Sequence, residues 1–204
     1  DYFDGPETPF FTSKKFNFES NMGLNGLYLL GFGFDKTACF RKGASKGPLA
    51  IRECSPHIES YSPYLHMDLE DFSSFYDLGD LVIDHDLSIQ ESYLLANDHF
   101  QEFFSAYNFS ADPVKTLVLG GDHSISLAPI EKYLNNFPDL LIIHLDAHAD
   151  LRDGYEGHHY SHASIIRRAL DSFEKGHSLI QYGIRSGTKE EFSWMSEKGT
   201  LKTS

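Results

Sequence analysis

Five short apolar runs punctuate the chain, and helix-spaced stretches fill the intervals between them. The runs are Leu27–Leu30, Tyr76–Val82 (broken by Gly79), Thr116–Leu119, Leu140–Leu145 and Leu179–Gly183. They are continuous rather than alternating, which predicts strands covered on both faces. Between them, Gly47-Pro48 opens one helix, with proline in the first turn. Ser88 with Glu91 forms a capping box for a second, which should bury Ile89, Leu94, Leu95, Phe100, Phe103 and Phe104. Further helices are predicted over Ser126–Asn135, Ser161–Asp171 and Thr188–Lys198. Strands that alternate with helices pair in parallel through right-handed crossovers. The fold class is therefore α/β, a three-layer α/β/α arrangement with a mainly parallel sheet, in a single domain spanning 1–204.

Charge and cysteine content narrow the function classes. The formal net charge is −13 over 204 residues, so neither nucleic acid nor an anionic membrane surface is an expected partner. No apolar run approaches the roughly 18 residues of a membrane helix. Two cysteines, Cys39 and Cys54, make no disulfide framework and suit a reducing, cytoplasmic setting. No secretory signal is read at the start of the chain.

The chemistry gathers at strand ends. Gly120-Gly-Asp-His123-Ser follows one run, and Asp146-Ala-His148-Ala-Asp150 follows another. In open parallel sheets, ligands bind beyond the carboxyl ends of strands. Residues i, i+2 and i+4 of an extended chain point to one side, so Asp146, His148 and Asp150 can converge. Clustered carboxylates are costly unless a cation compensates them. With His123 they make a mixed nitrogen and oxygen donor set, which favours Mn²⁺ and admits Zn²⁺ or Fe²⁺. The bland alternative is a hydrogen-bonded Asp–His pair at a strand end, and a second strand-end histidine weakens it. His144 lies within the apolar run and points the same way as Asp146. It reads as a buried supporting histidine rather than a ligand.

Those two motifs, in that order, resemble the ureohydrolase family of arginases, agmatinases and their relatives. Asp150-Leu-Arg-Asp-Gly-Tyr-Glu-Gly and Tyr160-Ser-His-Ala-Ser164 are more similar to agmatinases than to arginases. Gly47-Pro-Leu-Ala-Ile-Arg52 and Tyr182-Gly-Ile-Arg-Ser186 extend the likeness over most of the chain. The resemblance implies an arginase-like fold with two Mn²⁺ ions. His123 and Asp150 would hold one ion and His148 the other, with Asp146 bridging both and Asp122 and Ser124 in support. The ions would make a water nucleophilic toward a guanidinium carbon, releasing urea and an amine. Asp146 and His162 would be catalytic, His162 as the proton shuttle to the leaving amine. Asp153 or Glu156 would hold the distal ammonium of agmatine, and His158 and His159 read as solvated loop residues. The resemblance further implies a small-molecule guanidino substrate, agmatine by preference, and a homo-oligomer, trimer or hexamer.

The sequence also departs from that family. An Asp-x-Asp motif on a later strand and a later glutamate are not found after Gly183, where Glu190, Glu191 and Glu197 read as a solvated helix face. The expectation is that the chain belongs to a longer protein and lacks the C-terminal third of the domain. The absent strands would lie mid-sheet, leaving apolar edges and faces exposed, and the isolated chain inactive and poorly soluble. Guanidinobutyrase, arginase and formiminoglutamase chemistry remain open. So do a catalytically silent binding or regulatory protein and a mononuclear metal-binding protein.

Overall fold

The run that begins at Leu27 shows how the architecture is built. In this computed structural model, which describes residues 2–20, 26–112, 114–198 and 201–203, it forms β3 (Leu27–Phe32). Its neighbours are β6 (Phe75–Leu81) on one side and β7 (Lys115–Gly120) on the other, both parallel to it. The strand runs past the predicted boundary at Leu30, because Gly31 and Phe32 keep pairing with β7. Tyr28, Leu29, Leu30 and Phe32 have no exposed surface. Removing a leucine-sized side chain from water contributes about 1.5–3 kcal/mol, so this strand anchors the fold. β1 (Phe3–Asp4) adds antiparallel to β6, and β2 (Lys14–Lys15) pairs with β6 in parallel.

α1 (Gly47–Cys54) is pinned to this sheet by charge. Arg52 donates Nε and Nη2 to the two carboxylate oxygens of Asp77, at 2.8 and 2.9 Å, and Nη1 to Asp80. Arg52 and Asp77 are both buried, so the paired geometry offsets a desolvation cost that either partner alone could not meet. A small antiparallel hairpin, β4 (Tyr61–Ser62) with β5 (Met67–Asp68), follows α1. α2 (Ile89–Phe103) carries the expected Ser88–Glu91 capping box. Its buried face is Tyr93, Ala96 and Phe100, continued by Phe104, while Ile89, Leu94, Leu95 and Phe103 are only half-buried. The stripe is set by i, i+3, i+4 spacing from Tyr93, and it packs into an aromatic core with Phe32, Phe34 and Phe109.

The second half forms a separate sheet. β8 (Leu141–Leu145), β9 (Ser178–Tyr182) and β10 (Leu201–Thr203) pair in parallel in the order β10-β9-β8. α3 (Leu127–Leu134), α4 (Ile165–Asp171) and α5 (Lys189–Lys198) accompany it. Leu127, Ile165, Ile166 and Leu179 are buried together with Met195 of α5. The predicted starts at Ser126 and Ser161 fall early, because 3₁₀ turns at His123–Ser126 and His162–Ser164 lead into α3 and α4.

Among the described residues β7 and β8 do not pair, and each leaves one edge open. The continuous apolar run of β8 predicts cover on both faces, but only one face is covered. His144 is buried, whereas Ile143 and Leu145 are 61% and 75% exposed. Among the described residues β3 also has a strand on each side, whereas β8 has one. Open edges and apolar faces are what an incomplete sheet leaves. The fold is α/β with a mainly parallel sheet, in two separate pieces.

Candidate metal centre

The two strand-tip motifs meet at the mouth of a cleft of about 670 Å³. The first is delivered by a tight approach. Gly121 passes so close to the Phe34 carbonyl that a β-carbon would stand 1.9 Å from that oxygen. The next residue donates its N–H to the same carbonyl, and the Asp122 side chain accepts the Ser124 N–H at 3.0 Å. That turn aims His123 across to Asp150, with Nδ1 at 2.5 Å from Oδ2.

Asp150 is nearly buried and takes the left-handed backbone conformation at φ 53°. Aspartate tolerates this region better than bulky residues, and strain of this kind concentrates at functional sites. The following residue is fixed from outside the motif: Glu191 Oε1 accepts the Leu151 N–H at 3.1 Å. Glu191 also accepts the Thr188 N–H, lies 3.7 Å from Arg152 and is buried. It is therefore not part of a solvated helix face; it ties α5 to the metal loop and lines the cleft. Helical spacing alone could not reveal this, since its partner Leu151 lies 40 residues away.

Asp146 presents two differently occupied oxygens. Oδ2 faces His123 Nδ1 at 3.9 Å and His144 Nε2 at 3.5 Å. Oδ1 faces His148 Nδ1 at 3.5 Å and accepts the His148 N–H at 2.8 Å. Burial works to raise this carboxyl, but the His148 N–H and the imidazoles of His123 and His144 outweigh it. The carboxyl is held below the usual carboxylate range.

His123, His144, Asp146 and Asp150 form one group whose ligand atoms all lie within 4.8 Å of one another. Its chemistry fits a divalent cation: two carboxylates converge with the imidazole of His123, an oxygen and nitrogen donor set without thiolate. Proton counting sorts the histidines. Gln181 Nε2 donates to the Ala149 carbonyl at 2.9 Å and to His144 Nδ1 at 2.8 Å, so Nδ1 accepts. The His144 proton then sits on Nε2, directed toward Asp146, which makes His144 a support of that carboxylate rather than a ligand. Burial, with His123 nearby, pushes His144 below the ordinary histidine range. His148 stands outside the four-residue group with its ring 61% exposed, on the far oxygen of Asp146.

His162 lines the cleft, edge-on to Tyr155 with ring centroids 5.7 Å apart. Asp153 and Glu156, the residues expected to hold the distal ammonium, sit away from the cleft lining. Asp153 is engaged by Arg168 at 2.5 Å, which lowers its carboxyl. The loop turns through Gly154 and Gly157, both at positive φ, and this carries the two carboxylates off the wall. The sequence puts Arg152 in this loop without indicating a contact; it lies over the Tyr155 ring at 4.5 Å and lines the cleft. The segment Ala38–Arg41 supplies the opposite rim, including the exposed Cys39.

The fold and this donor group define an α/β protein with carboxylates and imidazoles gathered at its strand tips as a candidate metal centre. A profile of the Arginase family matches residues 25–203, and the chain belongs to that family. The agmatinase of Bacillus subtilis strain 168 is 39% identical over 171 residues, covering 84% of this chain and 56% of that one. The crystal structure of the agmatine ureohydrolase of Thermoplasma volcanium superposes with a TM-score of 0.74 at 29% identity, covering 90% of this chain and 58% of that one. The formimidoylglutamase of Bacillus subtilis superposes at 0.76 with 26% identity, covering 100% of this chain and 62% of that one. The chain thus spans little more than half the length of the relatives it matches.

Proposed function

We propose that this chain carries most of the metal centre of a ureohydrolase, an enzyme that splits agmatine into putrescine and urea. The observation that carries the reading is Asp146, whose two oxygens face separate histidines across a cleft. His123, Asp146, His148 and Asp150 would hold two Mn²⁺ ions, Asp146 through both of its oxygens. When bound, such ions supply acidified water at neutral pH. His144 and Gln181 keep Asp146 oriented, and Asp122 with Ser124 keeps His123 in place. His162 moves the proton that the departing amine requires. Kinship with an agmatinase favours agmatine; the likeness to a formimidoylglutamase supports the shared chemistry of the site more than one substrate.

The sheet bears on activity. Among the described residues the edges of β7 and β8 are unpaired, which supports a domain that needs further strands beside the site, supplying the remaining carboxylates. The unpaired Cys39 and Cys54 suit a cytoplasmic enzyme. Among the described residues no helix is long and apolar enough to cross a membrane. A homo-oligomer, trimer or hexamer, completes the reading.

The test is urea release with Mn²⁺, from agmatine, 4-guanidinobutyrate and arginine. Two proteins are compared: the 204-residue chain, and its fusion to the C-terminal remainder of the Bacillus subtilis agmatinase. The expected result is urea from agmatine with the fusion only. A fusion that folds but releases no urea from any of the three compounds overturns the reading.

A further inference from the structure

The wall behind His162 contains a hydrogen-bond arrangement that fixes which ring nitrogen carries the proton. Thr37 lies in the segment after β3 and is 5% exposed. Its Oγ1 is 2.7 Å from Asp122 Oδ2, 3.1 Å from the backbone nitrogen of His162 and 3.3 Å from His162 Nδ1. The Thr37 N–H also donates to Asp122 Oδ2, at 3.0 Å.

A hydroxyl has one proton to donate and two lone pairs to accept with. The Asp122 carboxylate can only accept, so at 2.7 Å it takes the hydroxyl proton. The His162 backbone N–H can only donate, so it occupies one lone pair. One lone pair remains, and it faces Nδ1. Were Nδ1 the bare nitrogen, it would need the proton already given to Asp122, and two acceptors would be left in contact. That arrangement is costly in a buried wall.

We infer that Thr37 is a positioning residue that holds neutral His162 in the Nδ1–H tautomer, leaving Nε2 as the bare nitrogen for the cleft. Among the described residues no side chain or backbone group bonds Nε2, and His162 lines the cleft. The consequence for the reaction rests on the proposed function. The bare Nε2 takes up a proton from water in the cleft and later delivers it to the leaving amine. Throughout, Nδ1–H stays bonded to Thr37, so the ring need not turn between the two events. The same threonine joins His162 to Asp122, which caps the turn bearing His123. One hydroxyl thereby sets the spacing between the proton carrier and the metal motif.

The tautomer can be read without catalysis. The full chain, labelled with ¹⁵N-histidine and kept free of paramagnetic ions, is examined by long-range ¹H–¹⁵N correlation, with His162→Asn assigning the signals. The expected spectrum at mildly alkaline pH has His162 Nδ1 protonated and Nε2 bare. Thr37→Ser preserves that pattern, and Thr37→Val abolishes the preference. A wild-type spectrum dominated by the Nε2–H form overturns the inference, as does a folded Thr37→Val protein with an unchanged pattern. If Thr37→Val fails to fold, wild type and Thr37→Ser still decide.

In the active fusion, Thr37→Val should lower kcat by about 10-fold or more with KM little changed, and Thr37→Ser should restore it. Full urea release by His162→Asn would sink the shuttle role while leaving the tautomer assignment intact. The failure of the inference is thus separable from failure of the proposed function.

Discussion

β3 and β8 are both short, continuous apolar strands, yet the molecule treats them differently. β3 is paired on both sides and its Tyr28-Leu-Leu30 run is sealed from water. β8 is paired on one side, and Leu141, Ile143 and Leu145 face outward while only His144 is buried. The apolar run specifies that a strand should be covered; it does not supply the cover. The candidate metal centre lies where the two sheets approach each other, with His123 beyond the end of β7 and Asp146 beyond the end of β8.

The largest expected effect comes from the finished sheet. Arg52→Ala would strand Asp77, fully buried, without its partner. Leaving one member of a buried pair unpaired should cost about 3–5 kcal/mol. Urea denaturation monitored by circular dichroism checks this, and a loss under ~1 kcal/mol would mean that α1 is not held through charge.

Next, the strands themselves can be set against each other. Leu30→Ala should cost about 2.7–5 kcal/mol. Ile143→Ala, at an exposed position, should stay within about 0.5 kcal/mol. Equal losses would mean that β8 is covered in solution. A sharper version replaces Ile143 and Leu145 with lysine. Binding of a hydrophobic dye and self-association should both fall, with little change in stability.

Much of this contrast is legible in the sequence. The strand runs, the capping box at Ser88 and the strand-tip position of the two motifs all obey local rules, and each emerges close to its expected place. The approach of His123 to Asp150 spans 27 residues, and a left-handed turn at Asp150 stands where the spacing predicts an extended chain, with His148 left outside the group. Other features depend on contacts across the fold. Glu191 sits on a helix whose sequence reads as solvated, yet it binds a backbone 40 residues away. Asp153 reads as a substrate carboxylate, and its contact with Arg168, fifteen residues on, has no local signal. Thr37 gives no signal, because its partners His162 and Asp122 are 125 and 85 residues distant.

The smallest effect concerns the rim of the cleft. Asp35 Oδ2 accepts the Gly43 N–H at 2.5 Å and the Ser45 N–H at 3.2 Å, with Lys42 nearby. Burial works to raise this carboxyl, but those bonds and Lys42 outweigh it and hold it below the usual range. Its stabilising contribution is therefore complete above the unfolded carboxylate value near about pH 4. It is lost as pH falls through the lower folded value. Asp35→Asn should remove that acid-limb dependence at a cost under about 1 kcal/mol. An unchanged stability–pH curve below about pH 4 would show that this carboxyl does not restrain the rim.

A cation bound between the strand tips is central to every role assigned to Asp146. Electron paramagnetic resonance during Mn²⁺ titration counts the hydrated ion left free, for the native chain and for the Asp146→Asn variant. The native chain should take up Mn²⁺ and release protons as it does so, while the variant leaves the ion in solution. Equal uptake by both proteins, or none by the native chain at saturating Mn²⁺, would contradict a metal centre built on Asp146.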